Sequence, residues 1–364
     1  MSEIGRCSSC LMPRSTRGFT FDERGNCPLC VEHARHPEAV EDPAAAARLE
    51  RTIAEVRRRG TDAPFDCLVG LSGGMDSVYL LHRLTKRHGL RCLALYYRTP
   101  FTPPEIHENV LNVTARLGVP LVEMELSREE HRRVAADFVR MWERKPDQVL
   151  VNLACAPCKL MHREMFRIAR LRGAPTIVHG DNRFEHANIA AGQLRTNALD
   201  RYALPANLLR LGVLATRGAA TLWRHPAVLR HSGLVFRAAV LYLNPYTAYL
   251  RLRYPRVHVF NYFQDGTWDE RELDAVLDEL GWRMPAGFHS KKKADCTFAH
   301  LKNVMSQAST GANYLDCFYS NMVRLGVLGR AEALARLERE GRPPEGAIAE
   351  ACRTLGWTPD CVRK

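Results

Sequence analysis

The chain has 364 residues, 46% of them hydrophobic, enough for two domains with a sizeable core plus small appendages. Its net charge of +12 points to an anionic partner (nucleic acid, a nucleotide-linked sugar or an acidic membrane surface) without choosing among them. The N-terminus carries no apolar run of the secretory kind, and the longest uncharged apolar stretch, 238–250, is too short to span a bilayer and contains Pro245. A soluble, cytoplasmic protein with no transmembrane segment is therefore expected.

In chain order, residues 1–36 form a cysteine-rich head, and 37–63 a linker whose Ala- and Arg-rich part, 41–60, predicts a helix. An apolar strand is predicted at 66–71, then a glycine loop, then a helix over 77–86. Strands at 93–97, 120–125 and 175–179 alternate with helices at 105–117 and 159–172. Such alternation predicts an α/β fold, a doubly wound parallel sheet, with ligands beyond the carboxyl ends of its strands. That places the glycine loop, Tyr97-Arg98 and residues 179–182 around one crevice. The nucleotide-binding domain is drawn as 64–200, an arginine-rich insertion as 201–256, the end of the core as 257–297 and a helical C-terminal region as 298–364. A buried strand is expected at 256–260, and helices at 268–280 and 330–340. Residues 201–256 hold nine arginines, no lysine and no acid. They fit either amphipathic helices whose arginines snorkel over a core, or an electropositive surface for a diphosphate-linked sugar, an anionic leaflet or RNA.

The loop Ser72-Gly73-Gly74-Met75-Asp76-Ser77 joins strand to helix. Two glycines let backbone amides approach an anion, and the helix N-terminus adds unpaired N–H groups. Ser72 and Ser77 add hydroxyl donors. Asp76 makes sense through Mg²⁺ or by ordering the loop. The pattern lacks the G-x-x-x-x-G-K-[ST] form, so γ-phosphate chemistry is not implied.

Cys7-x-x-Cys10 and Cys27-x-x-Cys30 have the spacing of a tetrahedral Cys₄ zinc site, read as structural. Cys155-Ala156-Pro157-Cys158 stands just before a predicted helix. It reads as a structural thiol pair or as one reactive thiol at a helix N-terminus. Cys67 and Cys92 lie in apolar strand contexts and are expected in the core.

The run Val69-Gly70-Leu71-Ser72-Gly73-Gly74-Met75-Asp76-Ser77 closely resembles the PP-loop ATP pyrophosphatases, over roughly 64–182. The resemblance implies a Rossmann-like ATP-binding domain that releases pyrophosphate and forms an adenylate. It implies nucleotide binding by Ser72, Gly73, Gly74, Asp76, Ser77, Gly180 and Asp181. Asp76, Ser77 and Lys159 are the catalytic candidates, with Arg98 and His179 behind Lys159. Met75 stands where many relatives carry Lys. In iron–sulfur tRNA thiolases of this group, a C-x-x-C at this place and one distant cysteine hold a [4Fe-4S] cluster. The counterparts here are Cys155 and Cys158 with Cys296, or with Cys317 as second choice.

The head, the 155–158 pair, Gly180-Asp181-Asn182 and the run His289, Ser290, Asp295, Cys296, Leu301, Lys302, Asn303 further resemble the N-acetyl sugar amidotransferases of surface-polysaccharide synthesis. That resemblance implies adenylation of an amide carbonyl and replacement of its oxygen by nitrogen. The ammonia would come from a separate glutaminase subunit, and the acceptor would be an anionic nucleotide- or lipid-linked sugar. Two features depart from those enzymes: the acid-free arginine segment, and Lys291-Lys292-Lys293 between the His289-Ser290 and Asp295-Cys296 pairs. The alternative is a sulfurtransferase that thiolates a tRNA base or a small metabolite at the cluster. A third reading, a non-catalytic nucleic-acid-binding module, leaves the intact loop unexplained.

Overall fold

The computed structural model describes residues 5–35, 43–125, 127–185, 216, 219–243 and 248–358. Five parallel strands form one sheet: β1 (Cys67–Leu71), β2 (Cys92–Tyr97), β3 (Leu121–Met124), β4 (Thr176–His179) and β5 (His258–Asn261). Their spatial order is β3-β2-β1-β4-β5. β1 pairs with β2 on one side (Leu68 against Leu93) and with β4 on the other (Leu68 against Ile177). Every residue of β2 is buried, as expected of an inner strand covered on both faces.

Chain order reverses between β1 and β4, and that switch point opens the crevice at the carboxyl ends of both strands. One face of the sheet carries helices Ala45–Gly60, Met75–His82, Pro104–Leu117 and Glu270–Glu279, through a core that includes Ile53, Val78, Val110 and Leu273. Helix Met161–Arg172 covers the other face with Met165, Phe166 and Ala169. The doubly wound reading of the sequence is correct.

Three details differ from expectation. The helix expected at 159–172 is two, Ala156–Lys159 and Met161–Arg172, the shorter one starting directly after Cys155. The strand expected to be buried at 256–260 is His258–Asn261, with His258 exposed and the rest half-buried. Among the described residues it is the edge strand, paired with β4 alone. Helix Arg128–Arg144 is additional to the predicted elements. It is amphipathic, capped by Ser127, whose Oγ accepts from Glu130 N, and it buries Phe138 and Trp142 against helices Thr297–Thr310 and Glu345–Leu355. Five charged residues in its first and last turns obscure its apolar stripe in the sequence.

The head packs onto the C-terminal helices. Arg17 N donates to Thr310 O at 2.7 Å, and Arg6 Nη1 reaches Asp316 Oδ1 at 2.8 Å with both side chains buried. Asp316 also belongs to the capping box that starts helix Tyr314–Arg324. Removing one partner of a buried pair leaves the other charge unsolvated. Arg6→Ala should therefore lose about 3–5 kcal/mol of stability. Adding Asp316→Asn should return part of that loss, read by denaturant unfolding.

Candidate active site and metal centre

The phosphate loop begins where β1 ends. Ser77 Oγ donates to Gly74 O at 2.9 Å and receives Ser72 N at 3.2 Å, which folds the loop back on the helix start. Ser72 Oγ lies 3.2 Å from Ser77 Oγ. Gly73 has φ +83°, and a Cβ there would meet Ile106 Cγ2 at 2.6 Å. A Cβ at Gly74 would sit 3.1 Å from the Asp295 carboxyl carbon, so the second glycine makes room for an acid. Trp282 Nε1 donates to Gly73 O at 2.8 Å and anchors the turn from below.

Charge concentrates beside this loop. Asp76 Oδ1 accepts from Trp268 Nε1 at 2.6 Å. Burial and then nearby Glu185 push the Asp76 carboxyl up to about 7, against the Trp268 bond and the charges of Lys293 and Lys292. Glu185 takes both contacts of Lys293 Nζ at 3.0 Å and a hydrogen bond from Tyr314 OH at 2.8 Å. Burial opposes the Lys293 charge, but Glu185, Asp295 and Asp76 outweigh it and hold the ammonium firmly protonated. Lys293 is the non-glycine with positive φ, 58°, among the described residues. So Lys293, the last residue of the triplet that departs from the sugar enzymes, is an organiser of the site. Glu185 and Tyr314 carry no motif and are found only through the fold.

Three carboxylates around an anion-binding loop need a cation between them and any phosphate. Their oxygens do not form a closed ligand set, for among the described residues only the four head cysteines bring three or more ligand atoms within 4.8 Å of one another. That fits Mg²⁺, which takes one or two carboxylates and completes its shell with phosphate oxygens and water. Gly180 permits close packing as well, since a Cβ there would meet Leu80 Cδ2 at 2.9 Å. Asp181 is exposed, with its carbonyl receiving Asn261 Nδ2 at 3.1 Å. Arg98 faces Glu123 at 3.9 Å, and His179 rests against the His162 ring at 5.6 Å between centroids.

Asp295 approaches the loop, and its neighbour Cys296 joins Cys155 and Cys158. Lys302 Nζ donates to Cys155 Sγ at 3.1 Å, and Cys158 Sγ lies 3.6 Å from His131 Nε2. The Cys158 hydrogen bond, against burial and with help from Lys302, draws the Cys155 thiol down to about 5. Burial, with Cys155 next, pushes Cys296 up to about 12. Lys159 is half-buried beside these thiols, and desolvation followed by Lys302 lowers its pKa. Cys317 lies elsewhere, buried against Cys10 and Ala312 in the head. Cys67 and Cys92 are register partners in the sheet core, 3.6 Å apart, and Cys352 is buried among the C-terminal helices. A cavity of about 670 Å³ opens on the far side of the 289–303 run, with His289, Ser290, Lys292, His300 and Asn303 in its wall. His300 Nε2 there is buried without a hydrogen-bond partner.

In the head, Cys7, Cys10, Cys27 and Cys30 are all buried, with Cys7 and Cys30 sulfurs 3.8 Å apart and Cys10 and Cys27 sulfurs 3.7 Å apart. A metal–sulfur bond of about 2.3 Å gives a tetrahedron with edges of about 3.8 Å. The donor set thus fits one tetrahedral ion and is too tight for a cubane cluster.

No family model matches the chain. A curated relative, the uncharacterized protein MJ1599 of Methanocaldococcus jannaschii, is 25% identical over 177 residues, 48% of this chain and 58% of the relative. The match thus spans little more than half of that protein's length. Among solved structures, an NMN synthetase from Francisella tularensis superposes with a TM-score of 0.36 at 13% identity, covering 87% of this chain and 98% of its own. An NH3-dependent NAD synthetase from Campylobacter jejuni gives 0.34 at 13%, with 87% and 98% covered. The U34-tRNA thiolase NcsA from Methanococcus maripaludis, with its [4Fe-4S] cluster, gives 0.35 at 12%, with 98% and 90% covered.

Two measurements test the site. The folded protein binds the Asp76 proton more tightly than the unfolded chain does, so this group's contribution falls as pH rises from about 4 through about 7. Asp76→Asn keeps an acceptor for Trp268 and should be more stable than wild type by about 1–3 kcal/mol near pH 8, with little difference near pH 4. Thermal melts across pH read this directly. Cys27→Ser should remove one equivalent of bound metal per chain by elemental analysis and lower the melting temperature.

Proposed function

We propose that this chain is an ATP-dependent adenylating enzyme, forming AMP and pyrophosphate, that replaces the oxygen of an N-acetyl sugar's amide with ammonia-derived nitrogen. The observation that carries the adenylation step is the loop at the switch point: a double-glycine turn opening helix Met75–His82, with Asp76 inside it and Asp295 against Gly74. Backbone amides and the hydroxyls of Ser72 and Ser77 hold the β- and γ-phosphates as the leaving group. Mg²⁺, held by Asp76 with Asp295, would neutralise the phosphate charge. The amide oxygen attacks the α-phosphorus and pyrophosphate leaves. Ammonia then adds to the activated carbon, and AMP departs with the original oxygen, leaving an amidine. Lys159 is the candidate for the charge that develops at the α-phosphate.

The choice of a sugar amide rests on the sequence resemblance, which covers both chain ends. Its separate motifs meet in space. The head lies on helix Tyr314–Arg324, Tyr314 bonds Glu185, and the 289–303 run reaches both the loop and the 670 Å³ cavity. We assign the head ion as structural zinc and a separate glutaminase as the ammonia source, with the acceptor amide seated beside the glycine loop.

One observation favours a second reading. Cys296, next to Asp295, is electrostatically coupled to Cys155 and Cys158, the three thiols that a sulfur-inserting enzyme with a [4Fe-4S] cluster and a tRNA or metabolite acceptor would use.

Pyrophosphate release separates the two. With ATP, Mg²⁺ and nucleotide-linked N-acetyl sugars, ammonium should support turnover. Asp76→Ala should reduce it at least about a hundredfold, the scale of losing transition-state charge stabilisation. Cys155→Ser should retain most ammonium-dependent turnover. Release only with a sulfur donor, or iron and labile sulfide in anaerobically purified protein, would overturn the nitrogen reading.

A further inference from the structure

Nine large hydrophobic side chains are exposed among the described residues, and five of them fall between 222 and 252. Trp223 is 90% exposed, Phe236 70%, Leu229 58% and Leu252 81%. Scattered single apolar residues need no explanation, but a concentration in one short segment does. The same segment, 201–256, contains nine arginines and no aspartate, glutamate or lysine.

The apolar exposure has a helical pattern. The chain runs from a 3₁₀ turn at Pro226–His231 directly into helix Ser232–Leu243. Val228, Leu234 and Ala238 face inward and join the core that holds Phe138 and Trp142. Leu229, Gly233 and Phe236, spaced four and three residues apart, lie on the outward side. Arg230 and Arg237 flank them and are exposed. Before this run, Thr221 and His225 are buried while Leu222, Trp223 and Arg224 point out. Each helical piece therefore has a packed side and a solvent side, and the solvent side mixes aromatic and aliphatic groups with guanidinium groups alone.

We infer that this face docks the protein on an anionic lipid bilayer. An interfacial helix needs an apolar stripe that enters the headgroup–acyl boundary and cations that meet lipid phosphates beside it. Trp at the interface and Arg with its bidentate guanidinium suit those two tasks. Leu229 and Leu252 decide against nucleic acid, because an exposed aliphatic side chain has no partner on a phosphate backbone. No helix among the described residues is long and apolar enough to cross a membrane, so the surface lies on the bilayer and does not span it. The inference is independent of the reaction assigned above.

The test is co-sedimentation of the full chain with phosphatidylcholine vesicles with and without phosphatidylglycerol. Binding is expected only to the anionic vesicles, weakened by salt. Arg230→Gln with Arg237→Gln should lower the partition coefficient roughly thirtyfold. Trp223→Ala with Phe236→Ala should lower it at least about tenfold. Both pairs are exposed, so unchanged thermal unfolding verifies that they fold. Trp223 fluorescence should shift to the blue on anionic vesicles, and Trp223→Phe should remove the shift while keeping the binding. Absence of binding, binding indifferent to phosphatidylglycerol, retention on RNA but not on vesicles, or self-association that quenches Trp223 exposure without lipid would each overturn it.

Discussion

The site depends on one half-buried ammonium. Lys293 Nζ, held at 3.0 Å from both oxygens of Glu185, is the cation around which three separate stretches of chain close. Glu185 belongs to the segment after β4, Asp76 to the loop after β1, and Asp295 to the run before helix Thr297–Thr310. Without Lys293, three carboxylates would crowd one another beside the glycine loop, and their repulsion in a low-dielectric pocket would spread the loops apart. The left-handed backbone at Lys293 is the cost of aiming the ammonium inward, about 1–2 kcal/mol for a residue with a Cβ. Such strain persists where surrounding contacts over-determine it, and here the Tyr314 ring beneath the ammonium, 5.0 Å to its centroid, helps to do so.

The parallel sheet was legible because its signal is local. A strand buried on both faces reads as an unbroken apolar run, and a loop of two glycines and two serines has few other uses at a strand end. The four head cysteines were legible for the same reason: their spacing alone sets the tetrahedron. Glu185, Tyr314 and Trp268 were not, because each acts through a partner more than 100 residues away. Lys293 looked like an insertion within a familiar motif. Only the fold shows that its backbone turn places it against Glu185. The edge position of β5 was hidden for a related reason, since strand order is a property of the sheet and not of the segment.

The dipeptide Asp295-Cys296 joins two chemistries. One residue approaches Gly74, and the next faces Cys155 and Cys158. In the adenylating reading, a group activated at the α-phosphate would lie near a thiol set whose charges are balanced by Lys302 and Lys159. In the nitrogen reading that set is scaffolding, because Cys155 receives Lys302 at the start of helix Ala156–Lys159, whose last residue is the candidate lysine. In the sulfur reading it is the donor. The same geometry serves both, and the outcome of substituting Cys155 discriminates between them where the fold does not.

The head is far from the phosphate loop in sequence, yet it is connected to it by a short series of contacts. Arg6 directly precedes Cys7, the first of the four clustered cysteines, and it holds Asp316. Asp316 caps the helix whose first residue, Tyr314, donates to Glu185, and Glu185 holds Lys293 beside Asp76. The links are buried or partly buried polar contacts, and such contacts are costly to leave half-made. A metal held by the four thiolates would be structural in its coordination, with no open position for a substrate, but not in its consequences. Its loss would free Arg6, and the effect would pass along these hydrogen bonds to the residue that sets the charge at the loop.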